Sequence, residues 1–218
     1  MSGATLAAAI AGTTGGAGAG VYDYNQGSGT VAIPAGFTQV SIEVWGACGG
    51  GGWGTERYIN FGEIGFDTQS SPGGGGGSGG YSRSIITGIV VGDVGKTISY
   101  SVGAFGAPGT SGNPTGYDGG TSTVSAGTFT VDEIVCTGGR GGLGGIAGGT
   151  QGAGGTATGG NTTNTSGNGG AAYTQPGATG IAGVNSLTGG NGGNGGDPEI
   201  GGSDGQPGAP GRVRFVFS

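Results

Sequence analysis

The residues best suited to chemistry in this sequence fall into a few short clusters. Gly95-Lys96-Thr97 has the ending of a phosphate-binding P-loop, where backbone amides cradle phosphates, a lysine reaches them and a hydroxyl holds magnesium. The position of that motif's first glycine is Val90, and Ile98-Ser99-Tyr100-Ser101-Val102 alternates like a strand where the motif needs a helix. A Gly-Asp-Val-Gly turn into a strand accounts for the same residues. Gly192-Gly193-Asn194-Gly195-Gly196-Asp197 fits the opening of the calcium-binding nonapeptide of parallel β-helices, whose carbonyls and carboxylates supply hard oxygen ligands. It stands as a single copy, with Glu199 at the aliphatic position and Pro198 before it, a pattern better read as solvated carboxylates at a turn. Asp132 and Glu133 are adjacent, so on a strand they would face opposite sides, a poor geometry for shared acid–base work. Histidine is absent and Lys96 is the only lysine, which removes His-based triads, His-ligated metals and most imidazole chemistry. No catalytic residue, cofactor or metal ligand is expected, and the chain reads as a non-enzyme.

Aromatic residues offer a different kind of chemistry. Trp53 to Pro72 interrupts the surrounding glycine with Trp53, Tyr58, Phe61 and Phe66 set among Glu56, Arg57, Glu63 and Asp67. Exposed loops on a rigid scaffold are where binding residues usually sit, and flat aromatic rings suit sugar faces or apolar protein loops. Tyr117 and Tyr173 lie in comparable breaks. These six aromatics are the candidate contact residues, and capping of the scaffold's open ends or filling of the core is the structural alternative. Trp45 ends a strongly alternating run and reads as core. Asn161-Thr162-Thr163 and Asn164-Thr165-Ser166 are formal glycosylation acceptors and read as a polar loop.

The elements that must position these residues are made of two materials. Of 218 residues 65 are Gly, about 30% against a usual 7% or so, while charged residues are only 8%. The first material is short period-two runs: Val40, Ile42 and Val44 share a face of residues 39–45, Ile98, Tyr100 and Val102 a face of 97–102, and Val213, Phe215 and Phe217 a face of 212–217. Weaker runs at 21–24, 30–33, 81–86, 121–124 and 129–135 bring the total to about eight strands. Turn chemistry between them, as in Ile33-Pro34-Ala35-Gly36, predicts an all-β fold: an antiparallel, jelly-roll-like β-sandwich without substantial α-helix.

The second material is glycine in triplets, Gly138-Gly139-Arg140 to Gly144-Gly145-Ile146 and Gly189-Gly190-Asn191 to Gly195-Gly196-Asp197. A period of three is that of polyproline II, so a GGX triplet gives two bare edges and one edge of side chains. Bare edges let such helices lie side by side and pair their backbone groups. Residues 138–211, with 30 glycines in 74 positions, are therefore read as an inserted polyglycine-II helix bundle, and 212–218 as a closing strand. Disorder is the competing reading, because glycine loses more conformational entropy on ordering than any other residue. Collagen fits only Gly205 to Gly211.

Net charge is −6 and the five arginines are scattered, which disfavours nucleic acid as a partner. Leu6 to Ala11 is too short to span a membrane and lacks the basic residues that precede a secretory signal's apolar core, so neither membrane insertion nor a signal peptide is expected. Cys48 and Cys136 permit one disulfide, yet each ends an apolar run where a buried free thiol is equally natural. Residues 1–20 form a short Ala/Gly/Thr segment suited to attachment or oligomerisation, and 21–218 read as one glycine-rich β domain with 53–72 as an exposed loop.

Ile33 to Gly52, ending in Trp45-Gly46-Ala47 and a polyglycine run, then Gly73 to Gly77 leading through Ser78-Gly79-Gly80 into Tyr81-Ser82, with a final strand at 212–217, resembles a known family. It is similar to the glycine-rich domain at the ends of bacteriophage tail fibres, a likeness covering roughly residues 28–218. Eukaryotic receptor ectodomains carry a similar module. Cys48 departs from the pattern, which has glycine or another small residue there. The resemblance implies a virion appendage protein, made in the host cytoplasm, with glycine-rich helices as scaffold. Its loops would contact a bacterial surface receptor, a glycan or an outer-membrane protein. It further implies other virion proteins as partners of the N-terminal segment, and a homotrimer as one arrangement that tail fibres use. A purely structural virion part is the alternative.

Overall fold

The computed structural model describes residues 20–60, 66–144, 149–170, 193, 195–196 and 202–218. Among these residues twelve strands form: β1 Gly20–Tyr24, β2 Ser28–Ala32, β3 Gln39–Trp45, β4 Thr55–Asn60, β5 Phe66–Ser71, β6 Tyr81–Thr87, β7 Thr97–Ser101, β8 Ser122–Ala126, β9 Ile134–Cys136, β10 Ala157–Thr158, β11 Thr163–Thr165 and β12 Arg212–Phe217. Among the described residues the sole helical element is one 3-10 turn, Val91–Asp93.

Two five-stranded antiparallel sheets run β1-β12-β3-β6-β11 and β10-β9-β8-β7-β2, and β4 pairs with β5 as a separate ribbon. The alternation read from the sequence decides which faces meet. Val40, Ile42, Val44, Val213, Phe215 and Phe217 from the first sheet pack on Val31, Ile98, Val124 and Ile134 from the second, all almost fully buried. Tyr22, Tyr24, Tyr100 and Phe37 flank this core, with Tyr24 stacked on Tyr100 at 4.1 Å. The outer face of the first sheet is polar and internally paired. Tyr81 donates its hydroxyl to Glu43 at 2.9 Å, Arg212 holds Asp23 through two nitrogens, and the Arg212 guanidinium lies 5.1 Å from the Trp45 ring centre. Trp45 is buried on this outer face, against Tyr81 and Arg212, rather than between the sheets with Val40, Ile42 and Val44.

Glycine-rich segments continue from the sandwich strands as a hydrogen-bonded lattice. The run 46–54 extends β3, and its nine consecutive amides rotate among three neighbours. Gly46, Gly49 and Gly52 donate to Gly80, Gly77 and Gly74; Ala47, Gly50 and Trp53 to Gly120, Tyr117 and Pro114; Cys48, Gly51 and Gly54 to Ala209, Gln206 and Ser203, all at 2.8–3.0 Å. Its carbonyls serve three further segments: Ala47 and Gly50 accept from Gly139 and Gly142, Cys48 and Gly51 from Gly106 and Gly109, and Gly49 and Gly52 from Gly193 and Gly196. One central run is thus surrounded by six others. Falling partner numbers mark the three amide-side neighbours as antiparallel to it, and rising ones mark the carbonyl-side neighbours as parallel.

Three expectations change. The glycine lattice is not confined to 138–211: 46–54, 72–80, 103–109 and 114–120 belong to it, because buried backbone groups need partners on every side. Conversely, Ala157–Thr158 and Thr163–Thr165 within 138–211 are strands, the latter paired with β6. The acceptor sequons therefore lie partly in β11 rather than in a loop. There Asn161 bonds both backbone groups of Ile85 at 2.8–2.9 Å. Third, only Ile134 and Val135 of the run 129–135 lie in a strand, β9, which ends at Cys136. Ahead of it the chain folds over the end of β7, where Thr97 and Thr128 exchange backbone-to-hydroxyl bonds.

The lattice makes glycine a steric requirement. A β-carbon at Gly49 would lie 2.1 Å from the Arg140 carbonyl oxygen, and one at Gly77 2.1 Å from that of Ala153, whereas one at Gly112 meets nothing within 4 Å. Gly49→Ala and Gly77→Ala are each expected to cost about 3 kcal/mol or more, and Gly112→Ala to stay within about 0.5 kcal/mol. Chemical denaturation of the three variants checks this.

Candidate functional site

Chain direction sets the position of the aromatic segment. Residues 46–54 run away from β3 and 72–80 return to β6, so the β4–β5 ribbon that joins them sits at the end of the lattice remote from the sandwich. The expected loop 53–72 is thus in part a regular hairpin, paired from Thr55↔Ser71 to Asn60↔Phe66. Tyr58 sits opposite Thr68, and Phe66 opens β5. Phe61 and Tyr173 lie outside the described residues.

Trp53 occupies the last lattice position before the hairpin, half-buried, with its amide on Pro114. Its ring lies against Gly202, where φ is +76° and a β-carbon would be 2.2 Å from Trp53 Cζ2, so glycine is needed there on both counts. Gly54 and Ser203 exchange two backbone bonds at 3.0 Å. Beside them Thr110 and Asn113 close a tight turn, and Asn113 Nδ2 donates to the Tyr117 hydroxyl at 3.0 Å. Tyr117, 56% exposed, sits one lattice repeat inward from Pro114. The structure therefore brings Trp53, Tyr117 and the β4–β5 hairpin carrying Tyr58 and Phe66 to one pole.

The clusters that could have done other chemistry are used structurally. Lys96 pairs with Asp93 at 2.8 Å in the turn before β7, and that turn is locked by Gly95 N–H to Ile33 and Ile33 N–H to Lys96. Gly193 and Gly196 spend their amides on Gly49 and Gly52 and their carbonyls on Gly76 and Gly73; Asp197 is outside the described residues. Among the described residues no group of three His, Cys, Asp or Glu side chains could hold a metal, and no helix is long and apolar enough to cross a membrane.

Sequence reasoning missed Phe105, which is 52% exposed. Its signal was the phase of Gly103, Gly106 and Gly109, which puts Phe105 and Pro108 on one edge. Leu143, also exposed, follows Arg140 by the same three-residue step. No family model matches the sequence, and no curated protein matches it.

Both cysteines are buried thiols outside any disulfide. The Cys136 thiol donates to the Val44 carbonyl at 3.3 Å. Burial pushes its pKa up to about 12 and raises that of Cys48 as well. Because the folded value is the higher, this contribution to stability is fully present below the ordinary thiol pKa near 9 and is lost as pH rises towards 12. Burial likewise raises Tyr24 and Tyr81 to about 12. Both thiols are expected to resist alkylation at pH 8 in the native protein and to react at once in denaturant, with stability falling between pH 9 and 12. Mass-spectrometric counting of modified thiols and alkaline denaturation curves check the two parts.

Proposed function

We propose that this protein is a non-enzymatic bacteriophage virion appendage, a tail-fibre or tail-tip adhesin that contacts the bacterial surface through the aromatic pole of a glycine-rich scaffold. The single observation that carries the reading is the placement of the Trp53 hairpin at the far end of a lattice whose backbone groups are spent on one another. Such a scaffold is chemically inert and leaves recognition to the side chains at its end. The likeness to tail-fibre glycine-rich domains supports the same reading, with a surface glycan or an outer-membrane protein as receptor.

The scaffold is read as a jelly-roll-like sandwich carrying a polyglycine-II bundle. What supports the bundle is the three-residue rotation of partners along 46–54. At about 3.1 Å per residue such a run would carry the hairpin roughly 28 Å from the sandwich. The opposite pole suits attachment to other virion proteins: Gly20, where the N-terminal segment joins β1, pairs with Phe217 there. At the same pole the turn after β6 exposes Val90, Val91 and Val94, Val91 to 91%. That apolar turn also favours the second reading, a structural virion component held by its base and without a receptor of its own.

Labelled protein is expected to bind intact host cells saturably and to compete with the phage. The Trp53→Ala/Tyr58→Ala/Phe61→Ala triple variant should lose that binding while remaining folded. Unchanged binding by the folded variant would overturn the assignment of the pole, and absence of binding by the parent protein would favour the structural reading.

A further inference from the structure

A cavity of about 440 Å³ opens at the shoulder where sandwich and lattice meet, remote from the hairpin pole. Its volume falls within the usual range for small-molecule sites, roughly 300–1,000 Å³. Three elements converge on it: the β1–β2 turn with Asn25 and Gln26, the start of segment 103–109 with Phe105, and the end of segment 203–211 with Pro207 and Pro210.

Lattice phase explains why apolar side chains gather there. In 203–211 the carbonyls of Ser203, Gln206 and Ala209 face the central run, and the amides of Gly205, Gly208 and Gly211 donate to Gly109, Gly106 and Gly103. The remaining edge, Pro207 and Pro210, makes neither set of bonds, and proline has no amide to leave unpaired there. In 103–109 the amides of Gly106 and Gly109 and the carbonyls of Ala104 and Ala107 are likewise taken. That leaves Phe105 on its free edge. Val102 lies beneath, buried, with its amide fixed to Gly27 at 2.8 Å.

The geometry points to a binding site for a neutral pyranose. A pyranose has an apolar C–H face and a rim of hydroxyls. The cavity offers the flat surfaces of one phenyl ring and two pyrrolidine rings, with the exposed amide side chains of Asn25 and Gln26 beside them to give and accept hydrogen bonds. None of its lining residues is ionisable, so a charged sugar finds no counter-ion. Its floor is pinned by backbone hydrogen bonds, so little ordering is needed on binding. This site is separate from the hairpin pole and does not depend on the reading given to it.

Saturation-transfer NMR with methyl α-glucopyranoside, methyl α-galactopyranoside and methyl α-mannopyranoside tests the assignment, with glucuronate as the charged comparison. At least one methyl glycoside is expected to bind, with saturation concentrated on its C–H face, and glucuronate to bind more weakly. Phe105→Ala should weaken the affinity about tenfold or more. Because Phe105 is exposed, its unfolding temperature should be unchanged. The hairpin triple variant should bind the sugar as the parent does. Absence of binding by all three glycosides at tens of millimolar, equal binding by Phe105→Ala, or loss in the hairpin variant would each overturn the site.

Discussion

The structure depends on one arrangement of backbone hydrogen bonds: along 46–54, each successive amide turns to a different neighbouring chain and returns to the first after three residues. A strand offers its polar groups in one plane and needs two neighbours. A run that turns by a third of a revolution per residue offers them all round and can be enclosed completely. Enclosure requires close approach, and close approach excludes β-carbons: at Gly50, Gly76 and Gly139 one would sit 2.0–2.2 Å from a neighbour's carbonyl oxygen. The abundance of glycine is the price of that packing, since each residue brings a large ordering entropy.

The sandwich supplies what the lattice lacks. Apolar burial is concentrated in the two sheets, where Phe215, Phe217, Ile42 and Ile98 are essentially inaccessible. The sheets also fix where lattice segments begin. Runs 46–54, 72–80, 103–109 and 203–211 leave or enter β3, β6, β7 and β12, so sheet order sets which glycine runs are neighbours at the base. Ser122, fully buried at the start of β8, accepts the Gly103 amide at 3.0 Å and ties the two regions together. The hairpin β4–β5 then joins two of these runs at the end remote from the sandwich.

Much of the sandwich was legible in the sequence because its strands bury alternate residues on one face. Residues 39–45 and 212–217 were read to the residue as β3 and β12. β4 and β5 were not legible, since Thr55–Asn60 and Phe66–Ser71 mix charged, amide and aromatic residues without alternation. β10 and β11 are too short and polar to show a period. The triplet phase of 138–143 announced a lattice, but its extent was hidden. Gly46, Ala47 and Cys48 find partners at Gly80, Gly120 and Ala209, and no local pattern encodes such distant pairing. The pole stood out as an aromatic interruption, while Phe105 went unnoticed because its meaning lies in the phase of the glycines around it.

Residue-resolved amide hydrogen exchange along 46–54 and 72–80 tests the lattice most directly. Enclosure by hydrogen-bonded neighbours predicts that all nine amides from Gly46 to Gly54 exchange as slowly as those of β3, with no period in the protection. Rapid exchange of the glycine amides while β3 and β12 stay protected would contradict it. So would protection at every second residue, as on an edge strand.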